Sequence, residues 1–232
     1  MSIFSLLFIG LQLIVLPVLS FQTREVIEGD EVLPPKRALY IQSIIMLSVI
    51  GALAALVDWK EDLPIHWYSL ITTKNLLLAG ALYVAGMLVN FIQYHYNKKN
   101  ATDEDGIILP QKKDEYILWI ALCITAAWSE EYVYRGVLSE LFLKQGMMYI
   151  LAIVLSGVCF SFSHFAQGWI AIPVTFLFAL GFQYLYKWSG SLLLPVIVHF
   201  IYNISVEYLR RALVKATSGD RSDESGDPAD DR

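Results

Sequence analysis

Residues 116–143 read YILWIALCITAAWSEEYVYRGVLSELFL, an apolar run broken by two glutamates and an arginine at a depth where a membrane helix tolerates few charges. At about 1.5 Å per residue the stretch is too long for one crossing of the hydrocarbon core. Its second half, Ser129 to Leu143, mixes charge with hydrophobes, so it either leaves the bilayer or runs beside other helices. The rest of the chain repeats the apolar pattern. Blocks near 3–21, 38–57, 75–96, 147–166, 169–187 and 190–209, together with 116–143, make seven candidate spans. Across all 232 residues 56% are apolar and only 17% charged, against about a quarter charged in soluble domains. Disordered, collagen-like and disulfide-scaffold classes are excluded, and a soluble enzyme is disfavoured. The expected fold is all-α: a polytopic transmembrane helix bundle of about seven spans.

The first block lacks a basic leader and a small-x-small cleavage pattern, so it reads as a retained helix rather than a signal peptide. Seven spans put the two ends on opposite sides. One side collects ten cations (Arg24, Lys36, Arg37, Lys98, Lys99, Lys112, Lys113, Arg210, Arg211 and Lys215), the other only Lys60, Lys74, Lys144 and Lys187. By the positive-inside rule the C-terminus and the 97–115 loop are expected in the cytoplasm. Trp59, Trp67, Tyr68, Trp169 and Trp188 fall at block ends, as an interfacial aromatic belt does. The net charge of −5 comes mostly from the last sixteen residues, which carry six acids and two arginines and no large apolar residue. The expected organisation is N-terminal transmembrane helices over 1–115, a catalytic helical core over 116–210, and an acidic disordered tail over 211–232. No basic stripe or aromatic platform points to nucleic acid. Cys123 and Cys159 lie inside apolar blocks and read as small buried hydrophobes.

Each ionisable group inside a span costs about 2.5–3.5 kcal/mol on insertion scales, which makes it a functional candidate. This chain has Glu130, Glu131 and Arg135 in the fourth block, His164 in the fifth, and His199 with Asn203 in the seventh. Adjacent Glu130 and Glu131 lie about 100° apart on a helix and cannot aim at one point. Glu131 and Arg135 share a face at i,i+4 and can neutralise each other, leaving Glu130 to face a cavity. His199 and Asn203 have the same spacing, and Phe160 with His164 repeats it, placing a ring beside the imidazole. Such a set suits hydrolysis of a peptide carbonyl. Glu130 could deprotonate water, His199 and Asn203 could donate to the oxyanion, and His164 could hold the water or protonate the leaving amine. No Gly-x-Ser-x-Gly or His-Glu-x-x-His pattern is present, and nothing places a base beside Ser129.

Glu130-Glu131-Tyr-Val-Tyr-Arg135 resembles the EExxxR motif of the CAAX protease and bacteriocin-processing family, also called Abi. Phe160-Ser-Phe-Ser-His164 is similar to its FxxxH motif, and His199-Phe-Ile-Tyr-Asn203 to its HxxxN motif. Gly136, Gly190-Ser191-Leu192 and Pro195 also look like that family, and the likeness covers roughly 116–210. The resemblance implies an intramembrane endopeptidase of the glutamic type, cutting a membrane-associated or lipidated protein or peptide. Glu130, His164, His199 and Asn203 would be catalytic and Glu131 and Arg135 supporting. It implies no cofactor. Zinc on Glu130, His164 and His199 is the minority alternative, since three such ligands plus water make a catalytic zinc set. Against zinc, Asn203 is a better oxyanion donor than ligand, and no carboxylate lies one turn from either histidine to orient it. The expected partners are the lipid bilayer and a protein or peptide substrate, and the expected place is a bacterial plasma membrane.

Other classes compete. A non-catalytic membrane regulator or bacteriocin self-immunity protein of the same fold would share the bundle. A proton- or ion-coupled carrier would show two similar halves with broken helices, and no such repeat is found. Blander readings apply elsewhere. His66 and His95 sit at block ends, Glu140 reads as a solvated charge, and Glu207 with Arg210 and Arg211 reads as a surface ion pair. Counting along the helices places His164 only some 5 Å from the cytoplasmic face and Glu130 about 21 Å from it, a gap that closes if the fourth helix starts below the bilayer.

Overall fold

The computed structural model describes residues 1–29, 34–69, 71–97, 110 and 112–224, which form seven helices and no strand among them. Helix α1, Ile3–Glu28, widens into a π-turn at Leu11–Val15 just ahead of Pro17. Proline has no N–H and its ring clashes with the carbonyl four residues back, and an extra residue in the turn relieves both problems. Helix α2, Lys36–Glu61, follows Pro34 and Pro35 and ends at Asp62, which takes a left-handed conformation with φ 49°. Helix α3 is Thr73–Asn97. Helix α4 runs over 113–144, as a regular helix Lys113–Glu130, a π-helical stretch Glu131–Leu138 and a last piece Ser139–Lys144. Helix α5, Tyr149–Ser163, leads through a short turn, Phe165–Gln167, to α6, Ala171–Ser189. Gly190, at φ 64°, stops α6 in the left-handed region where a side chain costs most, and α7, Leu193–Glu224, closes the chain.

The all-α bundle is as expected from the apolar blocks. Length and hydropathy mark α1, α2 and α3 as able to cross a membrane, while Tyr149–Ser163 is apolar but shorter. The other helices among the described residues are shorter or carry more polar residues, so about seven spans stands as an approximate count. The region 211–232, expected to be disordered, begins as helix, because α7 continues to Glu224. Extending an existing helix costs far less than nucleating one. The remainder of that tail, 225–232, lies outside the described residues, as does most of the 97–115 loop.

Helix α4 is the axis of the molecule. It packs along α2 and α7, and its π-helical stretch also touches α5 and α6. Every residue from 131 to 142 is buried, so this segment runs inside the bundle rather than leaving it. Val133, Val137, Leu138 and Leu141 form one apolar core with Ala54, Val57, Ala152 and Leu192. A helix buried all round must satisfy its polar groups internally. Ser156 donates to the Tyr134 carbonyl at 2.6 Å, Ser139 to that of Arg135 at 2.6 Å, and Tyr132 to the Asp58 carboxylate at 2.7 Å. The α2–α3 connector pins the start of α7. The N–H groups of Leu192 and Leu193, near the unpaired helix start, donate to the carbonyls of His66 and Trp67 at 2.9 Å each. Across the bundle α3 lies close to α6, where a Cβ on Gly181 would come within 2.7 Å of the Leu82 side chain.

Candidate active site

Glu130 is the last residue of the regular part of α4, at the edge of the core just described. His164 caps the C-terminal end of α5, and His199 sits within α7. The bundle brings the three together. Oε2 of Glu130 stands 3.8 Å from Nε2 of His164 and 3.9 Å from Nε2 of His199. These gaps exceed a direct hydrogen bond and are of the size a bridging water closes. The three side chains are partly exposed, at 15, 17 and 11% for Glu130, His164 and His199, into a cavity of about 640 Å³. Asn203, one turn beyond His199, lines the same cavity.

The gap in depth between His164 and Glu130, which the sequence reading left to be closed, is closed in the structure: the end of the fifteen-residue α5 meets Glu130. Helix ends inside an apolar layer are tolerated where they line a polar cavity, and His164 sits at such an end. Its ring is fixed from both sides. Nδ1 donates to the Phe160 carbonyl at 2.8 Å, so Nε2 is the atom presented to Glu130, and the Phe160 ring packs on the imidazole with centroids 4.3 Å apart.

Glu131 does more than neutralise Arg135. The expected pair is present, with Arg135 Nε 3.2 Å from Glu131 Oε2 and both side chains almost wholly buried. The other carboxylate oxygen, Oε1, accepts from Nδ1 of His199 at 2.8 Å. Glu131 thus orients His199 and aims its Nε2 at Glu130. The lack of an orienting carboxylate, expected from the sequence, is corrected here: the partner comes from α4, not from the histidine's own helix. Arg135 in turn lies over the Phe160 ring at 4.3 Å and faces the Phe182 ring at 5.5 Å. Phe182 stacks on His199 with centroids 5.7 Å apart. Two aromatic rings therefore link the arginine to both imidazoles.

Ser129 donates to the Leu47 carbonyl at 2.8 Å and is turned toward α2, away from any nucleophilic role. Glu140, expected to be solvated, is buried and ion-paired to Lys187 of α6. Glu207, expected at the surface, is also buried and pairs with Arg211. In both cases a long cationic side chain reaches in from the rim; the i,i+4 spacing announces the Glu207–Arg211 pair but not its burial, and nothing local announces Glu140–Lys187.

The N-terminal half supplies walls that the sequence reading left blank. Leu16, Leu19 and Ser20 of α1 and Gln42, Met46 and Ile50 of α2 line the cavity. Helix α1 also holds the turn that follows His164. Ser20 Oγ accepts from the Ala166 N–H at 2.8 Å, and Phe21 stacks on Phe165 with centroids 3.9 Å apart. A signal was available: Ser20, Thr23 and Arg24 mark one polar face on an otherwise apolar helix.

A family model described as type II CAAX prenyl endopeptidase Rce1-like matches residues 112–205. Over this segment the chain is similar to the CAAX protease family. The match starts at the N-cap of α4, ends in α7, and contains Glu130, Glu131, Arg135, His164, His199 and Asn203. No curated protein and no solved structure matches the chain. The likeness is to a protease-type hydrolase, and the long apolar helices are those of a membrane protein.

Proposed function

We propose that the protein is an intramembrane endopeptidase of the glutamic type, acting on a membrane-associated peptide, with prenylated proteins the substrate class that the family's description names. The observation that carries this reading is the position of the Glu130 carboxylate, 3.8 and 3.9 Å from two imidazole nitrogens whose opposite sides are both tied down. Glu130 takes a proton from a water held between it and His164, and the water oxygen bonds to the scissile carbonyl carbon. The carbonyl oxygen becomes an oxyanion, which the Asn203 amide N–H stabilises; His199, its Nδ1–H held by Glu131, adds a donor at Nε2 when the ring is the imidazolium with both nitrogens protonated. The C–N bond then breaks, and the proton taken from water passes from Glu130 to the departing amine.

Zinc needs its own test. Glu130, His164 and His199 have the donor types of a catalytic zinc site, and Glu131 on His199 is the kind of carboxylate that orients a metal-bound histidine. Among the described residues, however, no group of three His, Cys, Asp or Glu side chains is arranged to hold a metal ion. Asn203 beside His199 supplies a neutral donor where a metal-free enzyme needs one, so the reading is a site without metal. The same reading places the C-terminus in the cytoplasm of a bacterial cell, on the ten-to-four distribution of cations.

The test uses purified protein in detergent, an S-farnesylated peptide carrying a fluorophore and quencher, and H₂¹⁸O. Cleavage that puts one ¹⁸O into the new carboxyl group and persists in excess chelator is the expected result. Activity lost in chelator and restored by zinc would overturn the metal-free mechanism. Tight binding of the peptide without turnover would favour the non-catalytic regulator.

A further inference from the structure

At the end of α5 the N–H of His164 turns to the Ser161 carbonyl at 3.1 Å, which leaves the Phe160 carbonyl, its usual helical acceptor, open to side chains. Two of them take it: the Ser163 hydroxyl donates at 2.7 Å and His164 Nδ1 at 2.8 Å. Ser163 Oγ also stands 3.3 Å from the same Nδ1. A neutral imidazole nitrogen accepts a hydrogen bond as readily as it gives one, so this hydroxyl is a rival. Turned toward the ring, it would donate to Nδ1 and send the ring proton to Nε2. Glu130, 3.8 Å from Nε2, pulls the proton the same way.

Tyr134 stands against that turn. Its hydroxyl donates to Ser163 Oγ at 3.3 Å. It lies along one face of α5, made by Ser156, Phe160 and Ser163 at i, i+4 and i+7. Ser156 donates to its main-chain carbonyl at 2.6 Å, and its ring meets the Phe160 ring edge-on with centroids 5.1 Å apart. Tyr134, Ser163, His164 and Glu130 all line the large cavity. With the Tyr134 hydrogen on one lone pair of Ser163 Oγ, the Ser163 hydrogen is left the direction of the Phe160 carbonyl.

We infer that Tyr134 is a positioning residue: by directing the Ser163 hydroxyl to Phe160, it keeps the His164 proton on Nδ1, so that Nε2 meets Glu130 as a bare lone pair. The inference rests on the proposed protease reading and adds to it the task of His164. The water between Nε2 and Glu130 points one hydrogen at each acceptor, which turns its oxygen lone pairs toward the scissile carbonyl; the proton that leaves still goes to Glu130. Glu130 and Arg135 of α4, His199 of α7 and Arg24 of α1 are charged or titratable groups facing this end of α5. They bias how readily the ring gains a second proton, whereas the hydrogen bonds at Nδ1 decide which nitrogen holds the first.

The experiment reads the ring nitrogens of [¹⁵N]histidine-labelled protein in detergent, at a pH where the imidazoles are neutral, with the His164 signals assigned by their loss in His164→Gln. Wild type is expected to show a protonated Nδ1 and a bare Nε2. Tyr134→Phe, which keeps the ring and frees the Ser163 hydroxyl, is expected to move the proton toward Nε2 and to lower kcat on the quenched farnesylated peptide by about tenfold, with KM little changed. Ser163→Ala removes the rival and is expected to keep the Nδ1–H form, with kcat down by at most about threefold. Adding Ser163→Ala to Tyr134→Phe is then expected to restore both the tautomer and most of the turnover, whereas plain loosening of the α4–α5 contact makes the double variant the worst of the three. A wild-type proton on Nε2, a tautomer unchanged by Tyr134→Phe, or a double variant no better than Tyr134→Phe overturns the inference. With Glu130→Gln still inactive, any of these leaves the protease reading intact. If no peptide is cut, the tautomers of the four proteins decide on their own, since they are read without turnover.

Discussion

The two halves of the chain solve opposite problems. In α4 to α7 the charged residues are buried and ion-paired: Glu131 faces both Arg135 and His199, and Glu140 binds Lys187. In α1 to α3 the helices are apolar, long enough to cross a membrane, and buried over only 22% of each apolar window. The family match covers the first kind of region and stops short of the second. Chemistry needs a few side chains at fixed distances, and these leave motifs. A wall needs only shape and hydrophobicity, which many sequences satisfy. Yet the wall is not passive, since Ser20 and Phe21 hold the turn that carries His164.

If the contrast is right, damage within α4 should be far costlier than damage within α1. Arg135→Ala leaves Glu131 buried with one of its two partners gone, a change that costs about 3–5 kcal/mol when a buried pair is broken. The expected outcome is low expression or a sharply lowered melting temperature in detergent, and normal melting would break the comparison. Glu131→Gln keeps the shape but removes the charge that orients His199 and pairs with Arg135. It should lower kcat by about a hundredfold, with a smaller change in KM, as measured on the cleaved peptide. A fall in KM affinity alone would mean that His199 acts in binding rather than on the oxyanion.

In α1 the expected effects are smaller. Ser20→Ala leaves the Ala166 N–H without its acceptor and should cost about 1–3 kcal/mol locally. Its mark is a several-fold lower kcat with nearly unchanged global melting, because the His164 turn loosens before the core does. Hydrogen exchange at 164–168 in the variant and the wild type checks this directly. Unchanged exchange there would show that α1 merely covers the turn.

Much of the fold was legible because each apolar block is long and each candidate motif keeps a helical spacing. Glu130 facing a cavity and the Glu131–Arg135 pair follow from angles on one helix. The Glu131–His199 bond does not, since it joins α4 to α7 across 68 positions and no local pattern announces it. The burial of Glu140 was hidden for the same reason. The two π-helical stretches differ in this respect. That in α1 is announced by Pro17, whereas Glu131–Leu138 contains no proline and reads as ordinary helix. The meeting of His164 with Glu130 was not legible in helix lengths, because the cavity that both line is a tertiary feature.

The most direct test of the account is turnover by Glu130→Gln set beside wild type at equal folded concentration. The swap is nearly isosteric and Glu130 lies at the cavity edge, so melting should match the wild type closely. Cleavage of the farnesylated peptide should fall by at least about a thousandfold, the loss expected when the group that activates water is gone. A Glu130→Gln protein that melts normally and cleaves at the wild-type rate would contradict the assignment of Glu130 as the base.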